Sequence, residues 1–149
     1  MLLRRAASAM FACAALAAGC DESLETFAGP TPTLTPTFTA IQRDIFQASD
    51  SSGRPSCASC HNPNEIACRV VGLDLSTGGT YDSLVGVASR QKPGAVRVVP
   101  GNPGNSYLIQ KIEGRADIVA TRMPQRGPYL TDGQVTVLKR WIELGARRD

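Results

Sequence analysis

The chain has 149 residues, of which 42% are hydrophobic, 16 are basic and 13 are acidic, giving a formal net charge of +3. This length allows one domain of ordinary size, so a second hydrophobic core is not expected. Two arginines, Arg4 and Arg5, lie at the extreme N-terminus, and the other 14 basic residues exceed the acidic ones by one. So small an excess leaves no basic surface that would indicate binding to nucleic acid.

The N-terminal segment is organised like an export signal. Residues 1–19 open with the basic "MLLRR" and continue with an apolar run of 14 residues, "AASAMFACAALAAG", which is too short to span a membrane. The run ends in "LAAGC", which resembles the lipobox of bacterial lipoproteins. That resemblance implies a signal peptide over residues 1–19 and a lipid anchor on Cys20 at the cell envelope. The alternative is an ordinary secretory peptide with an incidental Cys20, and both interpretations export the protein.

A tether and one ordered domain are predicted after the signal. Residues 20–36 are rich in Thr and Pro and have little to bury, which is typical of an extended linker. The domain is predicted over residues 37–149, and its first helix is indicated by apolar residues at helical spacing: Phe38, Ile41, Ile45 and Phe46. Short helices are expected in "TYDSLVGV" and "NSYLIQKIEG".

The C-terminal segment "TDGQVTVLKRWIELGA" predicts a longer helix. Thr131 and Gln134 have the spacing of a capping box, and Gly145 is a natural stop. The segments between the predicted helices are rich in Gly and Pro, and none shows a series of alternating strands. The predicted class is therefore mainly α with long loops.

The fragment "CASCH" contains Cys57, Cys60 and His61, the single histidine of the chain. A zinc site could add Cys68, but adjacent Cys60 and His61 do not readily face one ion. A redox dithiol is a second possibility, although the α/β pattern that usually accompanies it is missing. The third is covalent haem, because C-x-x-C-H is the attachment signature of c-type cytochromes. His61 would then bind the iron through one ring nitrogen, while a backbone carbonyl holds the other.

A candidate for the second axial ligand lies in the segment "TRMPQRGPYLTDGQ". Met123 is the only methionine outside the predicted signal peptide, and it follows His61 by 62 residues. A thioether is a common ligand opposite histidine in electron-carrying cytochromes. Pro124 favours an extended backbone at Met123, which suits a side chain presented from a loop.

Several motifs together resemble the single-haem class I c-type cytochromes, akin to the planctomycete-type cytochrome c domain. They are "CASCH", "GLDLST", "VPGNPGNSYLIQKIEG" and "RMPQRGPYLTDGQVTVLKRWIELGA". The resemblance implies a cytochrome c fold in which N- and C-terminal helices pack together around one covalent haem, with Phe46 and Trp141 expected at their contact. It implies that Cys57 and Cys60 form the thioethers and that His61 and Met123 are the axial ligands. Gln125 departs from the family pattern, which has a second proline there.

These observations predict an electron carrier rather than an enzyme, held at a bacterial membrane with its domain in the periplasm or at the cell surface. Its partner would be a redox protein of a respiratory or envelope electron-transfer chain. The alternatives are a haem-based ligand-binding, sensor or peroxidase-like domain with an open or labile sixth position, and a purely structural module. Cys68 is expected to be a small buried residue. Four cations are candidates for pairing with haem propionates: Arg90, Lys92, Arg97 and Arg122.

Overall fold

The computed structural model describes residues 34–149. The predicted signal peptide, Cys20 and most of the predicted tether therefore lie outside the described residues. Within the described range the α-helices are α1 (Phe38–Ile41), α2 (Ile66–Val71), α3 (Thr80–Leu84), α4 (Tyr107–Glu113) and α5 (Asp132–Glu143). Residues 34–149 contain isolated bridges, such as the one joining Val85 and Val98, but no strand. The predicted mainly α class is confirmed.

The C-terminal helix α5 begins and ends where its sequence predicts. The Thr131 side chain accepts a hydrogen bond from the Gln134 backbone, and the Gln134 side chain accepts one from Thr131 N at 3.1 Å, which completes the capping box. The helix stops before Gly145, whose φ of +97° suits a residue without a side chain. The face of α5 containing Leu138, Trp141 and Ile142 is buried in the core.

Helix α1 packs against α5 and contributes Ile41 to the hydrophobic core. It continues directly into a π-helical turn, Gln42–Phe46, so that the segment is helical throughout. The predicted stripe is confirmed for Ile41, Ile45 and Phe46, which are buried. The ring that packs near Trp141 is Phe38, with centroids 5.9 Å apart, whereas Phe46 lines a cavity. The expected aromatic contact between the terminal helices therefore involves Phe38 rather than Phe46.

Helix α2 was not expected from the sequence. It follows the cysteine motif and ends at Gly72, which has a left-handed backbone (φ +67°) and donates to the Cys68 carbonyl at 2.6 Å. A Cβ at Gly72 would lie 2.6 Å from the Arg90 guanidinium, so this position excludes a side chain for two reasons. Cys68, the buried residue of α2, is a small core residue as predicted.

Candidate functional site

The cysteine motif is wound into one tight turn. Cys57–Ser59 form a 3-10 helix that is capped by Ser56, whose hydroxyl accepts from Ser59 N at 3.2 Å. His61 N then donates to the Cys57 carbonyl at 2.9 Å, which brings the first cysteine and the histidine close together. Both thiols are free, with Cys57 half-buried and Cys60 exposed. The turn therefore offers two thiols and an imidazole from five consecutive residues.

A buried arginine fastens this turn to the first helical segment. Arg54 donates to Asp50 Oδ2 at 2.8 Å and to the Ile45 carbonyl at 3.4 Å. The Cys57 thiol lies 3.7 Å from the same Ile45 carbonyl and donates to it. Since the Ile45 side chain is part of the core, the position of Cys57 is coupled to the packing of the domain.

A cavity of about 450 Å³ brings the predicted site residues together. Cys57, Cys60, His61 and Met123 all line it, although 62 residues separate His61 from Met123 in the chain. A volume of several hundred Å³ is usual for sites that bind cofactors and small molecules. The walls are largely apolar: Phe46, Ala67, Val71, Leu73, Leu75, Leu84, Leu108, Ile112 and Leu130.

Within residues 34–149, the imidazole of His61 lacks a hydrogen-bond partner at one ring nitrogen. Burial lowers the pKa of His61, the Leu73 carbonyl acts in the opposite direction, and the nearby cations Arg97 and Lys111 lower the pKa further. The Nδ1 atom is buried without a hydrogen-bond partner among the described residues. A neutral ring with a free nitrogen beside an apolar cavity has the chemistry of a metal ligand.

The geometry of the site gives little support to the zinc and redox-dithiol interpretations. Within residues 34–149, no three side chains of the His, Cys, Asp and Glu types come together as a metal-binding group. That arrangement does not favour the zinc interpretation, which needs four converging ligands. Burial raises the pKa of the Cys57 thiol, an effect that Arg54 partly opposes. Reactive dithiols have the opposite property, a lowered thiol pKa, so the redox-dithiol interpretation is not favoured either.

The loop that contains Met123 is bound to the end of α4. Met123 N donates to the Lys111 carbonyl at 2.9 Å, and Arg122 Nε donates to the Ile112 carbonyl at 2.7 Å. Carbonyls in the last turn of a helix have no partner within the helix, so the loop satisfies two of them. The Arg122 guanidinium also lies over the ring of Tyr129, 3.9 Å from its centroid. Helix α4 thus determines where the Met123 segment runs.

Among the four predicted propionate partners, Arg97 lines the cavity. Its guanidinium is buried and donates to the carbonyls of Val71 at 2.7 Å, Gly72 at 2.9 Å and Ser83 at 2.5 Å. Arg97 therefore already holds the end of α2 against the following segment. The other three lie elsewhere: Lys92 pairs with Asp117, Arg122 binds α4, and Arg90 covers Gly72.

Sequence reasoning missed several polar residues that line the cavity, among them Gln91, Lys111 and Arg126. Lys111 is the most unusual, because it is only 7% exposed and burial lowers its pKa. A signal was present, since Lys111 follows Tyr107 by four positions and so shares the buried face of α4. A lone charge on an apolar helical stripe indicates a buried polar role.

Further features of the described residues do not add to this site. A groove of about 440 Å³ on the surface is lined by residues that include Phe38, Gln42, Tyr81 and Arg148, and by none of the cysteines, His61 or Met123. None of the helices in residues 34–149 has the length and apolarity needed to cross a bilayer. No protein-family model, curated protein or solved structure matches the chain.

Proposed function

We propose that residues 37–149 form a single-haem c-type cytochrome domain that transfers electrons at the cell envelope. Cys57 and Cys60 are the thioether attachments, and His61 and Met123 are the axial ligands. The haem, when bound, supplies one-electron iron chemistry, and the protein supplies attachment, ligands and an apolar surrounding. The domain acts as a carrier and not as an enzyme.

The observation that carries this proposal is the shared cavity. Two thiols, an imidazole and a thioether line one largely apolar space, and the thioether comes from the only methionine beyond residue 19. Chance proximity is a weak explanation, because Met123 belongs to a loop that α4 binds through specific hydrogen bonds. A histidine and a methionine on one site are the donor pair typical of electron-transfer haem proteins.

The residues present fit a covalently attached haem. His61 Nδ1 is buried without a partner, and the Leu73 carbonyl lies close enough to raise the pKa of the ring. A hydrogen bond from Nδ1 to a backbone carbonyl such as that of Leu73 would fix the tautomer and leave Nε2 to act as the ligand. Apolar walls surround the ligand side chains, and Cys60 is exposed, so one edge of the site faces solvent.

The helical arrangement supports the cytochrome c fold as part of the same proposal. The first and last helices, α1 and α5, pack against each other, and α4 packs against α5. The cysteine turn follows the first helical segment closely, and the methionine loop precedes the last helix. This order agrees with the fold that the sequence resemblance implies.

An optical spectrum of the matured protein tests the proposal, with Met123→Leu as the decisive variant. Leucine keeps the volume but removes the sulfur. The wild type is expected to carry covalent haem, a low-spin spectrum in both oxidation states and a weak methionine-to-ferric-iron band. That band should be absent in Met123→Leu and present in Gln125→Ala, a matched change in the same loop.

Each of the other outcomes would indicate a different function for the domain. A high-spin wild type that readily binds carbon monoxide or peroxide would replace the carrier with the ligand-binding, sensor or peroxidase-like alternative. A low-spin haem that small mediators fail to reduce reversibly would indicate a structural module. Absence of covalent haem after maturation would overturn the proposal and return the motif to thiol or metal chemistry.

The proposal includes a lipid anchor on Cys20 and a redox partner protein at the same envelope, both of which rest on the sequence. Metabolic labelling with a fatty-acid analogue tests the anchor. Label is expected in the wild type and in Cys13→Ser but not in Cys20→Ser. Equal labelling of the two variants, or none in the wild type, would leave an ordinary secretory peptide.

A further inference from the structure

The ammonium of Lys111 joins α4 to the loop that leads to Met123. Its Nζ donates to the carbonyls of Val119 at 2.8 Å and Thr121 at 2.5 Å. Within residues 34–149 Lys111 takes part in no salt bridge, although it is only 7% exposed. A buried cation without a carboxylate is costly, so its hydrogen bonds to the loop must offset the loss of water.

The same loop is bound at neighbouring points by neutral hydrogen bonds. Val119 N donates to the Tyr107 hydroxyl at 3.0 Å, and Met123 N donates to the Lys111 carbonyl at 2.9 Å. Lys111 therefore contacts the loop through both its backbone and its side chain. The Lys111 ammonium makes two charge-assisted bonds to the loop, and the Arg122 guanidinium makes a third, to the Ile112 carbonyl at 2.7 Å. Such bonds are stronger than the neutral ones. Lys111 also lines the cavity beside Met123.

Gly114 allows this close approach at the end of α4. It has a left-handed backbone (φ +71°), and a Cβ there would lie 2.7 Å from Arg122 Cδ. The returning chain consequently passes directly over the helix terminus. With the carbonyls of Val119 and Thr121 fixed by one ammonium, little freedom is left for Arg122, the one residue between Thr121 and Met123.

From these contacts we infer that Lys111 is a positioning residue that holds Met123 at the sixth coordination position. The inference rests on the proposed function, since it assigns Lys111 a role in axial ligation by Met123. Lys111 does not itself bind iron. It restrains the segment 119–123, and loss of that restraint frees the thioether to leave the iron.

Imidazole binding to the ferric, matured, full-length protein measures this restraint, because imidazole must displace Met123 to bind. Lys111→Leu removes both hydrogen bonds and introduces no sulfur that could itself bind iron. It is expected to tighten apparent imidazole binding about tenfold or more, which corresponds to about 1.4 kcal/mol of lost restraint. The methionine-to-iron band should weaken in parallel.

Further variants test whether the effect depends on contact with the loop and on the charge. Lys139→Leu is the matched control, since Lys139 pairs with Glu113 and does not contact the loop. It should retain wild-type imidazole affinity. Lys111→Arg keeps the charge and the donors, so it should return the affinity most of the way to the wild-type value. If Lys111→Leu cannot be produced, Lys111→Gln removes at least one bond and should tighten binding by a smaller factor.

A double-mutant cycle distinguishes positioning from general destabilisation. In a Met123→Leu background imidazole meets no competing thioether, so adding Lys111→Leu should change its affinity by less than about twofold. A tenfold effect that persists without Met123 would overturn the inference. So would wild-type affinity in Lys111→Leu or Lys111→Gln, provided that the wild type shows its methionine band. A wild type without that band refutes the proposed function itself.

Discussion

Replacement of Arg54 by methionine is expected to destabilise the domain strongly. Arg54 is 0% exposed and lies just before the cysteine motif. Its Nε donates to Asp50 Oδ2 at 2.8 Å, and its terminal nitrogens donate to the carbonyls of Ile45, Ala48 and Pro55 at 3.3 to 3.4 Å. Methionine is apolar and donates none of these bonds, so a carboxylate and three carbonyls lose their partner.

The loss in unfolding free energy depends on how exposed the Asp50 carboxylate is once Arg54 has been removed. Removing one partner of a buried ion pair typically costs about 3 to 5 kcal/mol. The Asp50 side chain is 27% exposed and keeps hydrogen bonds from the Ser52 backbone and hydroxyl, so its charge remains partly solvated. We therefore expect a decrease near the lower end of that range, about 3 kcal/mol in the free energy of unfolding.

Urea unfolding of the matured protein measures this effect, with Arg43→Met as the control. Arg43 pairs with Asp44 at 2.7 Å, but its side chain is 72% exposed, so the same substitution should change stability little. The midpoint should fall for Arg54→Met while the m value stays unchanged. If Arg54→Met costs no more than Arg43→Met at equal m values, burial of the guanidinium does not stabilise the cysteine turn and the reasoning is refuted.

Two further predictions concern the helix ends. Thr131→Ala removes the capping box of α5 and should cost about 1 kcal/mol in urea unfolding, whereas Thr136→Ala, on the exposed face of the same helix, should not; equal costs would contradict the capping role. Burial raises the pKa of Glu113, but the paired cations Lys139 and Arg115 lower it by more. The folded pKa of Glu113 therefore lies below the ordinary value. The stability that Glu113 contributes is therefore fully present above the unfolded pKa and is lost as pH falls through the folded pKa. The stability difference between wild type and Glu113→Gln should shrink as the pH falls from neutral through the acidic range in which Glu113 takes up its proton, and a constant difference would contradict this linkage.

Local signals account for the elements that the sequence predicted well. Helix α5 has its cap, its apolar stripe and its stop within one segment, so each was visible without tertiary information. The motif from Cys57 to His61 is likewise local, because one turn of backbone brings these residues together. The apolar spacing of Ile41, Ile45 and Phe46 predicted a buried face, and the three are buried.

Helix α2 shows why some elements left no such signal. Ile66 and Val70 are 69% and 68% exposed, whereas Ala67 and Val71 line the cavity, so apolar residues lie on both sides of the helix and hydrophobic spacing marks no single buried face. Its C-terminal end is held from a distance, since Arg97 donates to the carbonyls of Val71 and Gly72 from 26 and 25 positions away. A stabilising contact across that separation cannot be read from hydrophobic periodicity, which reports only neighbours along a helix.

The sequence by itself determined the chemistry that the chain can offer: two cysteines and a histidine at attachment spacing, one methionine in a proline loop, and a capped helix behind it. The tertiary structure alone decided that these residues line one cavity, that Lys111 rather than an exposed residue holds the methionine loop, and that Phe38 contacts Trp141. The physical reason is that covalent spacing and helical periodicity are local. The burial of a cation and the closure of a cavity depend instead on contacts between segments far apart in the chain.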